Sequence, residues 1–433
     1  MKSLVRTSCL VCMLTCLVAA HGRAAQKAPA AAAFVFATFV EDPYSERKAA
    51  LLVDSIRRFG GSLANAPIYI AVKDMDRVPL PNLRTRDAVI VPLEADPVAG
   101  EYILGAKVFA AAQVERLVAK HARTMLWVDP WNLFLGPPTG YELDRGTAVA
   151  LRPVQVLNVG QPVGQPVDAY WSRIYRDAGL DPARIPSVEP LVDPQPIRFY
   201  VNCGIIAFRP SLGLCQEWAR RFVALVKDDA YQKSACADFR HRLFLHQAVL
   251  SGLLLERTTP GQRRWLPVEL GYPLEFHLKG KIPAEKRIEA LDRVVAFFVE
   301  QYWELHPDWM TAFRIDEPLK AWLTEAQQRL HRVVDRIYRE EGQCNSYLVR
   351  TAEGDVLIDP GGAASPDSFL WSLAGRKPAA AILLTHGHED HRDGIALWKG
   401  DRNIPVIAQR EIVEYIRYRD RLAGFFRLRD AAH

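Results

Sequence analysis

The sequence predicts an α/β protein built in two successive units, and three observations lead there. From Phe34 onward, short apolar runs alternate with amphipathic stretches, the pattern of strands and covering helices in a mostly parallel sheet. Far downstream, the apolar run 381–384 leads straight into Thr-His-Gly-His-Glu-Asp-His, a cluster of metal-ligand residue types behind a buried strand. The composition, 49% hydrophobic and 24% charged over 433 residues, leaves room for two or three packed domains and is not that of a disordered chain. A formal charge of +5 without a basic run does not suit a nucleic-acid groove, so the expected partner is a small-molecule substrate.

Residues 1–25 read as a signal peptide. Lys2 and Arg6 supply a basic start, residues 7–18 an apolar core, and Val18-Ala19-Ala20 a small-residue cleavage site. The apolar core is short for a membrane span, so the mature chain is expected to be secreted or periplasmic, with no membrane partner after cleavage; the alternative is an uncleaved N-terminal anchor. Arg outnumbers Lys, which fits a GC-rich bacterial gene and favours the periplasm. Residues 26–33 form an Ala-rich tether. Cys203, Cys215, Cys236 and Cys344 remain in the mature chain, an even number that permits disulfides without specifying them and whose spacing is not that of a zinc site.

The first unit is expected over residues 34–330. Residues 34–40, 67–72 and 88–92 read as strands, and 45–59 as a helix stopped by Gly60-Gly61. Residues 107–121 are helical by their apolar spacing, and the strand 124–128 delivers Asp129. Ligands of such sheets bind beyond the carboxyl ends of the strands, where Asp129 would sit. Residues 294–299 read as a last strand, Trp303, Trp309 and Trp322 as core, and 317–330 as a helix with Pro in its first turn.

Four stretches of this unit resemble the nucleotide-sugar glycosyltransferases of the GT-A (Rossmann-like) fold: Trp127-Val128-Asp129-Pro130-Trp131, Tyr200-Val201-Asn202-Cys203-Gly204, His246-Gln247-Ala248, and His277 with Gly280. The resemblance implies that Asp129, Asn202 and His277 contact sugar or a divalent cation, Mn²⁺ or Mg²⁺. Two departures weaken the implied metal cage: Trp131 stands where the family has its second Asp, and Pro283 where it has a Lys. Asp129 can equally be a structural strand-end turn, and His277 a packed, hydrogen-bonded side chain. Lys107, which could approach phosphate, reads first as an exposed helix residue.

The second unit is expected over residues 331–433, beginning with an edge strand at 333–338. His386 and His388 are two apart and leave one face of an extended segment. Asp390 and His391 project elsewhere and could serve a second ion about 3.5–4 Å away. The motif His386, His388, Asp390, His391 resembles that of the metallo-β-lactamase superfamily, and the strand 345–349, the turn at Glu353-Gly354 and Val356 to Gly362 agree with it. The resemblance implies an αββα fold and one or two Zn²⁺ ions, with His386 and His388 on the first, Asp390 and His391 on the second, and Asp390 also orienting or deprotonating the nucleophile. Little sequence follows, so the expected object is the N-terminal half of that domain, with one sheet face left apolar and open to self-association. His433 lacks the Gly-His setting of a third ligand.

The function these readings favour is a secreted zinc hydrolase of the metallo-β-lactamase type, incomplete in this chain, behind a glycosyltransferase-like domain. The alternatives are a non-catalytic or vestigial sugar-nucleotide-binding protein and a working glycosyltransferase.

Overall fold

The computed structural model describes residues 33–416 apart from 301, 302, 304, 305, 307, 335, 343, 386, 401, 402, 411 and 415. The expected signal segment, nearly all of the tether, His386 and His433 lie outside the described residues.

β1 (Phe34–Val40) is buried along its whole length, as its unbroken apolar run requires. α1 (Pro43–Phe59) follows, capped by Asp42, whose Oδ1 accepts from the Ser45 amide at 2.6 Å while Ser45 Oγ accepts from the Asp42 amide. β2 (Ile68–Val72) and β3 (Val89–Pro92) continue a parallel set. α2 (Gly105–Val118) starts two residues earlier than expected, which places Lys107 in its first turn. β4 (Thr124–Val128) lies on the other side of β1 and is wholly buried.

Asp129-Pro130-Trp131 then turns the chain into β5 (Asn132–Phe134), and β6 (Val149–Leu151) follows. After α3 (Ala169–Asp177), β7 (Ser187–Val188) and β8 (Ile197–Arg198) form a two-stranded ribbon. β9 (Ile205–Phe208) leads to α4 (Leu214–Val226), α5 (Asp229–Ser234) and α6 (Phe239–Arg257). β10 (Arg263–Trp265), β11 (Leu270–Pro273), α7 (Leu274–Leu278) and β12 (Ala296–Phe298) complete the strand set of this unit among the described residues.

The main sheet has the order β10-β6-β9-β4-β1-β2-β3 and is parallel except for β9, which runs antiparallel to β4 and β6. That reversal matters for the site. Val128 pairs with Ile205, so the segment leading into β9 meets the carboxyl end of β4. One core lies on the face of α2, α4 and α6 and includes Trp127, Phe208, Trp218 and Leu250. The opposite face packs on α1 through Phe36, Leu52, Ile56 and Ile70. A second sheet, β11-β12-β5, holds a third core with Trp303 and Trp309, sealed by α8 (Leu319–His331) through Leu323 and Ala326. The four cysteines are buried thiols, and no disulfide occurs among the described residues.

The second unit begins where α8 ends. The expected single edge strand is two, β13 (Arg332–Val334) and β14 (Ile337–Glu341), because Arg336 at φ 62° turns the chain. β15 (Asn345–Arg350), β16 (Asp355–Ile358), α9 (Phe369–Leu373), β17 (Ala381–Leu384), α10 (Glu389–Arg392), α11 (Ile395–Lys399) and β18 (Val406–Ala408) follow. The six strands form one sheet in chain order, antiparallel to β16 and parallel from there. One face, with Leu348, Leu357 and Ile382, packs on α9 and Trp398. The other carries Val349, Val356, Ile358 and Leu383, all half-buried and outside the core clusters, with Ile407 at 51% exposure beside them.

Glycines allow the turn after β16 to lie directly on α10. A methyl group on Gly361 would sit 1.6 Å from the Asp390 carbonyl oxygen, and one on Gly394 would sit 2.1 Å from that of Pro360. Gly361→Ala is therefore expected to destabilise the second unit by about 1–3 kcal/mol through overpacking against backbone. Hydrogen exchange of β16 and β17 amides reads this, with Gly261→Ala, where nothing lies within 4 Å, as the control. Equal protection in the two variants would contradict the close approach.

Candidate active site

β4 ends in a carboxylate that is buried and fully engaged. Asp129 Oδ2 accepts from Lys107 Nζ at 2.7 Å, and Oδ1 accepts from Trp127 Nε1 at 3.0 Å. The side chains of Lys107 and Asp129 are 3% and 5% exposed, so Lys107 is not the exposed helix residue that its local pattern predicts. Burial works against its ammonium, but Asp129 and the Cys203 thiol outweigh burial and hold the Lys107 pKa above its ordinary value. Burial raises the Asp129 carboxyl in turn, with Lys107 and Trp127 pulling it back down, so the pair holds only while both partners stay.

The reversed strand supplies the next residues. The Asp129 amide donates to the Gly204 carbonyl at 2.8 Å, and the Gly204 amide donates to Asn202 Oδ1 at 2.8 Å. A methyl group on Gly204 would lie 3.2 Å from Asn202 Oδ1 and 3.3 Å from Asp129 Oδ2. Glycine here therefore leaves both side chains open to the cavity between them. That cavity, of about 320 Å³, is lined by Lys107, Asp129, Trp131, Asn202 and Gly204 from the main sheet and α2, and by His246 and Gln247 from α6. Glu275 of α7, Phe298 at the end of β12 and Glu300 just beyond it close its remaining side. It lies at the carboxyl end of β4, where the topology of an open α/β sheet predicts a ligand.

Two further lysines reach the acidic residues of the lining. Lys279 donates to Glu275 Oε1 at 2.6 Å, and Lys48 donates to the Glu300 carbonyl at 2.7 Å. Glu300, at φ 42°, has its carboxyl pushed up to about 7, by burial first and then by the charges of Glu275 and Asp129, with Lys48 and Lys279 pulling the other way. His246 is held well below its ordinary range by burial and then by Lys107, so it is neutral; its Nδ1 lies 2.9 Å from the Leu243 carbonyl.

Of the residues expected here, Asp129 and Asn202 meet in the cavity and His277 does not line it. Tyr272 OH lies 2.8 Å from its Nδ1, the Ala312 carbonyl and Arg287 Nη2 each lie 3.1 Å from its Nε2, and Phe313 stacks on its ring at 3.8 Å. Packing and hydrogen bonding account for His277, and both ring nitrogens are engaged away from the cleft. Glu275 and Glu300 were not predicted, although Glu300 follows a strand end, the position that marked Asp129.

At the second sheet, Asp359 sits at φ 51° after β16 and accepts from the Thr385 amide at 2.8 Å, tying the end of β16 to the end of β17. Its Oδ2 lies 3.1 Å from His391 Nδ1, which turns His391 Nε2 toward Asp390, 3.6 Å away. His388 is exposed and stands at the position before the first turn of α10, without a side-chain capping bond to it. The donor types suit zinc. Among the described residues, however, no three His, Cys, Asp or Glu side chains are placed to hold one ion, in this unit or the first. His386, the first residue of the expected set, lies outside the described residues.

The profile described as the Rhodobacterales glycosyltransferase domain matches residues 36–255, half of the chain. The chain belongs to that glycosyltransferase family. The metallo-β-lactamase superfamily profile matches residues 339–430. A probable metallo-hydrolase, YybB of Bacillus subtilis (strain 168), is 28% identical over 72 residues, which are 17% of this chain and 33% of YybB. The chain therefore spans about one third of the length of that curated relative. Among solved structures, mouse xyloside xylosyltransferase 1 is similar at 12% identity and a TM-score of 0.35, over 61% of this chain and 98% of that one. The galactosyltransferase LgtC with donor and acceptor sugar analogs is similar at 12% identity and a TM-score of 0.40, over 70% of this chain and 98% of that one. The glycosyltransferase domain thus contains the whole Asp129 cleft up to Gln247, and Glu275, Phe298 and Glu300 are added from beyond the matched span.

The raised Glu300 pKa has a stability consequence. Its folded value of about 7 lies above the ordinary 4.5, so the folded state holds the proton more tightly and wild-type stability falls as pH rises between those values. Glu300→Gln removes that penalty. Urea unfolding at pH 5 and pH 8 should show the variant gaining on wild type by on the order of 1–3 kcal/mol at the higher pH. A difference that does not change with pH would contradict the placement of Glu300 among these carboxylates.

Proposed function

We propose that the glycosyltransferase domain transfers a sugar from a nucleotide-sugar donor to a hydroxyl of a small-molecule acceptor in the Asp129 cleft. The observation that supports this reading is the convergence of Lys107, Asp129, Asn202, Gln247, Glu275 and Glu300 on one cavity inside and bordering a glycosyltransferase domain. The side-chain amides of Asn202 and Gln247 can each donate to and accept from sugar hydroxyls. In the transfer, the acceptor oxygen bonds to the anomeric carbon as the bond to the diphosphate breaks. Glu300, divided between its two protonation forms near neutral pH, is suited to take up the acceptor proton. Export of the mature chain belongs to the same proposal and rests on the basic-then-apolar pattern of residues 1–25.

A second reading, metal-dependent hydrolysis at the C-terminal motif, is favoured by the Asp359–His391 contact, since a carboxylate on one ring nitrogen orients the other toward a metal. Zinc bound by His386, His388, Asp390 and His391 would supply an activated water and Lewis acidity there.

The two readings separate in one assay. The full chain is incubated with a panel of nucleotide sugars and acceptors while nucleoside diphosphate release is followed. Release from one donor class is expected, with kcat/KM falling about tenfold or more in Asn202→Ala and unchanged in His388→Ala. No release from any donor, together with zinc-dependent hydrolysis lost in His388→Ala, would overturn the transfer reading in favour of the second.

A further inference from the structure

The carboxylate expected to hold a divalent cation in the first unit is not free to do so. Both oxygens of Asp129 are engaged, by Lys107 at 2.7 Å and Trp127 at 3.0 Å. The residue two positions on, where a second carboxylate would complete the set, is Trp131, and His277 is turned to Tyr272, Ala312 and Arg287. Each acidic residue on the lining has a lysine at hydrogen-bond distance: Lys107 on the Asp129 carboxylate, Lys279 on that of Glu275, Lys48 on the backbone of Glu300. The carboxylate charges of Asp129 and Glu275 are thus already compensated, and among the described residues no three His, Cys, Asp or Glu side chains are placed to hold one ion.

We propose that this cleft binds its anionic donor without a divalent cation, with the Lys107 ammonium in the position beside Asp129 that a carboxylate-bound metal would otherwise take. The proposal rests on the glycosyl-transfer reading above. Among the described residues lining the cavity, Lys107 is the one Lys or Arg, so a diphosphate bound there has this permanent positive charge to face.

Stability alone does not explain a lysine in this place. A cation in the first turn of a helix opposes the helix dipole, and burial opposes any ammonium. A buried ion pair of this kind can often be replaced by apolar side chains at no loss of stability. What the pair adds is a fixed, dry ammonium. Of its three N–H donors one is committed to Asp129 and another is shared with the Cys203 thiol, and it is held at the floor of a cavity by a carboxylate that cannot leave. An ammonium bridging Asp129 and a phosphate oxygen performs the task of a bridging cation, neutralising the leaving diphosphate as its charge grows.

The test is calorimetric titration of the full chain with UDP, GDP, CDP and ADP, first in EDTA and then with Mn²⁺ or Mg²⁺. The result expected is one nucleotide bound with a Kd that agrees within about twofold in the two buffers. Lys107→Met should weaken it about tenfold or more. Because that variant strands Asp129, the double variant Lys107→Met, Asp129→Asn is measured beside it, with its fold checked by circular dichroism, and should lose the same affinity. Binding only in the presence of the divalent cation would overturn the proposal and leave glycosyl transfer standing. Equal binding in both buffers that survives in the folded double variant would overturn the role of Lys107. Binding of no nucleotide in either buffer would overturn the transfer reading, and the proposal with it.

Discussion

The Lys107–Asp129 ion pair, buried on both sides, is the constraint that the first unit is arranged around. Two charges withdrawn from water are tolerable only with tight geometry and filled hydrogen-bonding positions. The surroundings meet those terms. Trp127 takes the second carboxylate oxygen, the Asp129 amide is spent on Gly204, and the Asp129 carbonyl accepts from Asn132 Nδ2 at 3.0 Å. Satisfying the pair therefore places β4, β5, the approach to β9 and the first turn of α2 relative to one another. A cavity with fixed polar walls is the by-product.

The two sheets share one physical scheme. An apolar strand is buried for its full length or on one face, and polar chemistry begins at the residue where its carboxyl end leaves the core. Asp129 follows β4, Asp359 follows β16, and Thr385 opens the histidine motif after β17. In the first unit a reversed strand brings a second polar segment to the same end, so Asn202 and Asp129 meet although 73 residues separate them. In the second unit Asp359 links two parallel strand ends through Thr385 and holds His391. Glycine at Gly204 and at Gly361 is what lets the backbones and side chains approach in the two places.

Much of this was legible in the sequence, for identifiable reasons. Alternation of apolar runs and amphipathic stretches revealed the parallel sheet, and the strand end marked Asp129 because the apolar run of β4 stops there. The Asp-Pro-Gly-Gly turn and the histidine motif carry their own spacing. Lys107 was misread because its helix is apolar or small on most sides, so periodicity does not single out a buried lysine, and its partner lies on a different element. Glu275 and Glu300 reach the cleft only through packing of the β11-β12-β5 sheet, which has no local signature. His277 carries a motif-like context, yet Arg287 and Ala312, which engage its Nε2, come from 10 and 35 residues away. A one-dimensional pattern does not distinguish such a histidine from a ligand.

The central claim is that the ion pair at the end of β4 forms the floor of a donor site. Its most direct test is a crystal structure of the protein with a nucleoside diphosphate soaked in from a buffer containing Mn²⁺. The account predicts the diphosphate between Lys107 and Asn202, with Lys107 Nζ within about 3 Å of a phosphate oxygen and still bonded to Asp129. Density for Mn²⁺ bridging Asp129 and the diphosphate, with Lys107 displaced, would contradict it, as would a nucleotide seated away from this cleft.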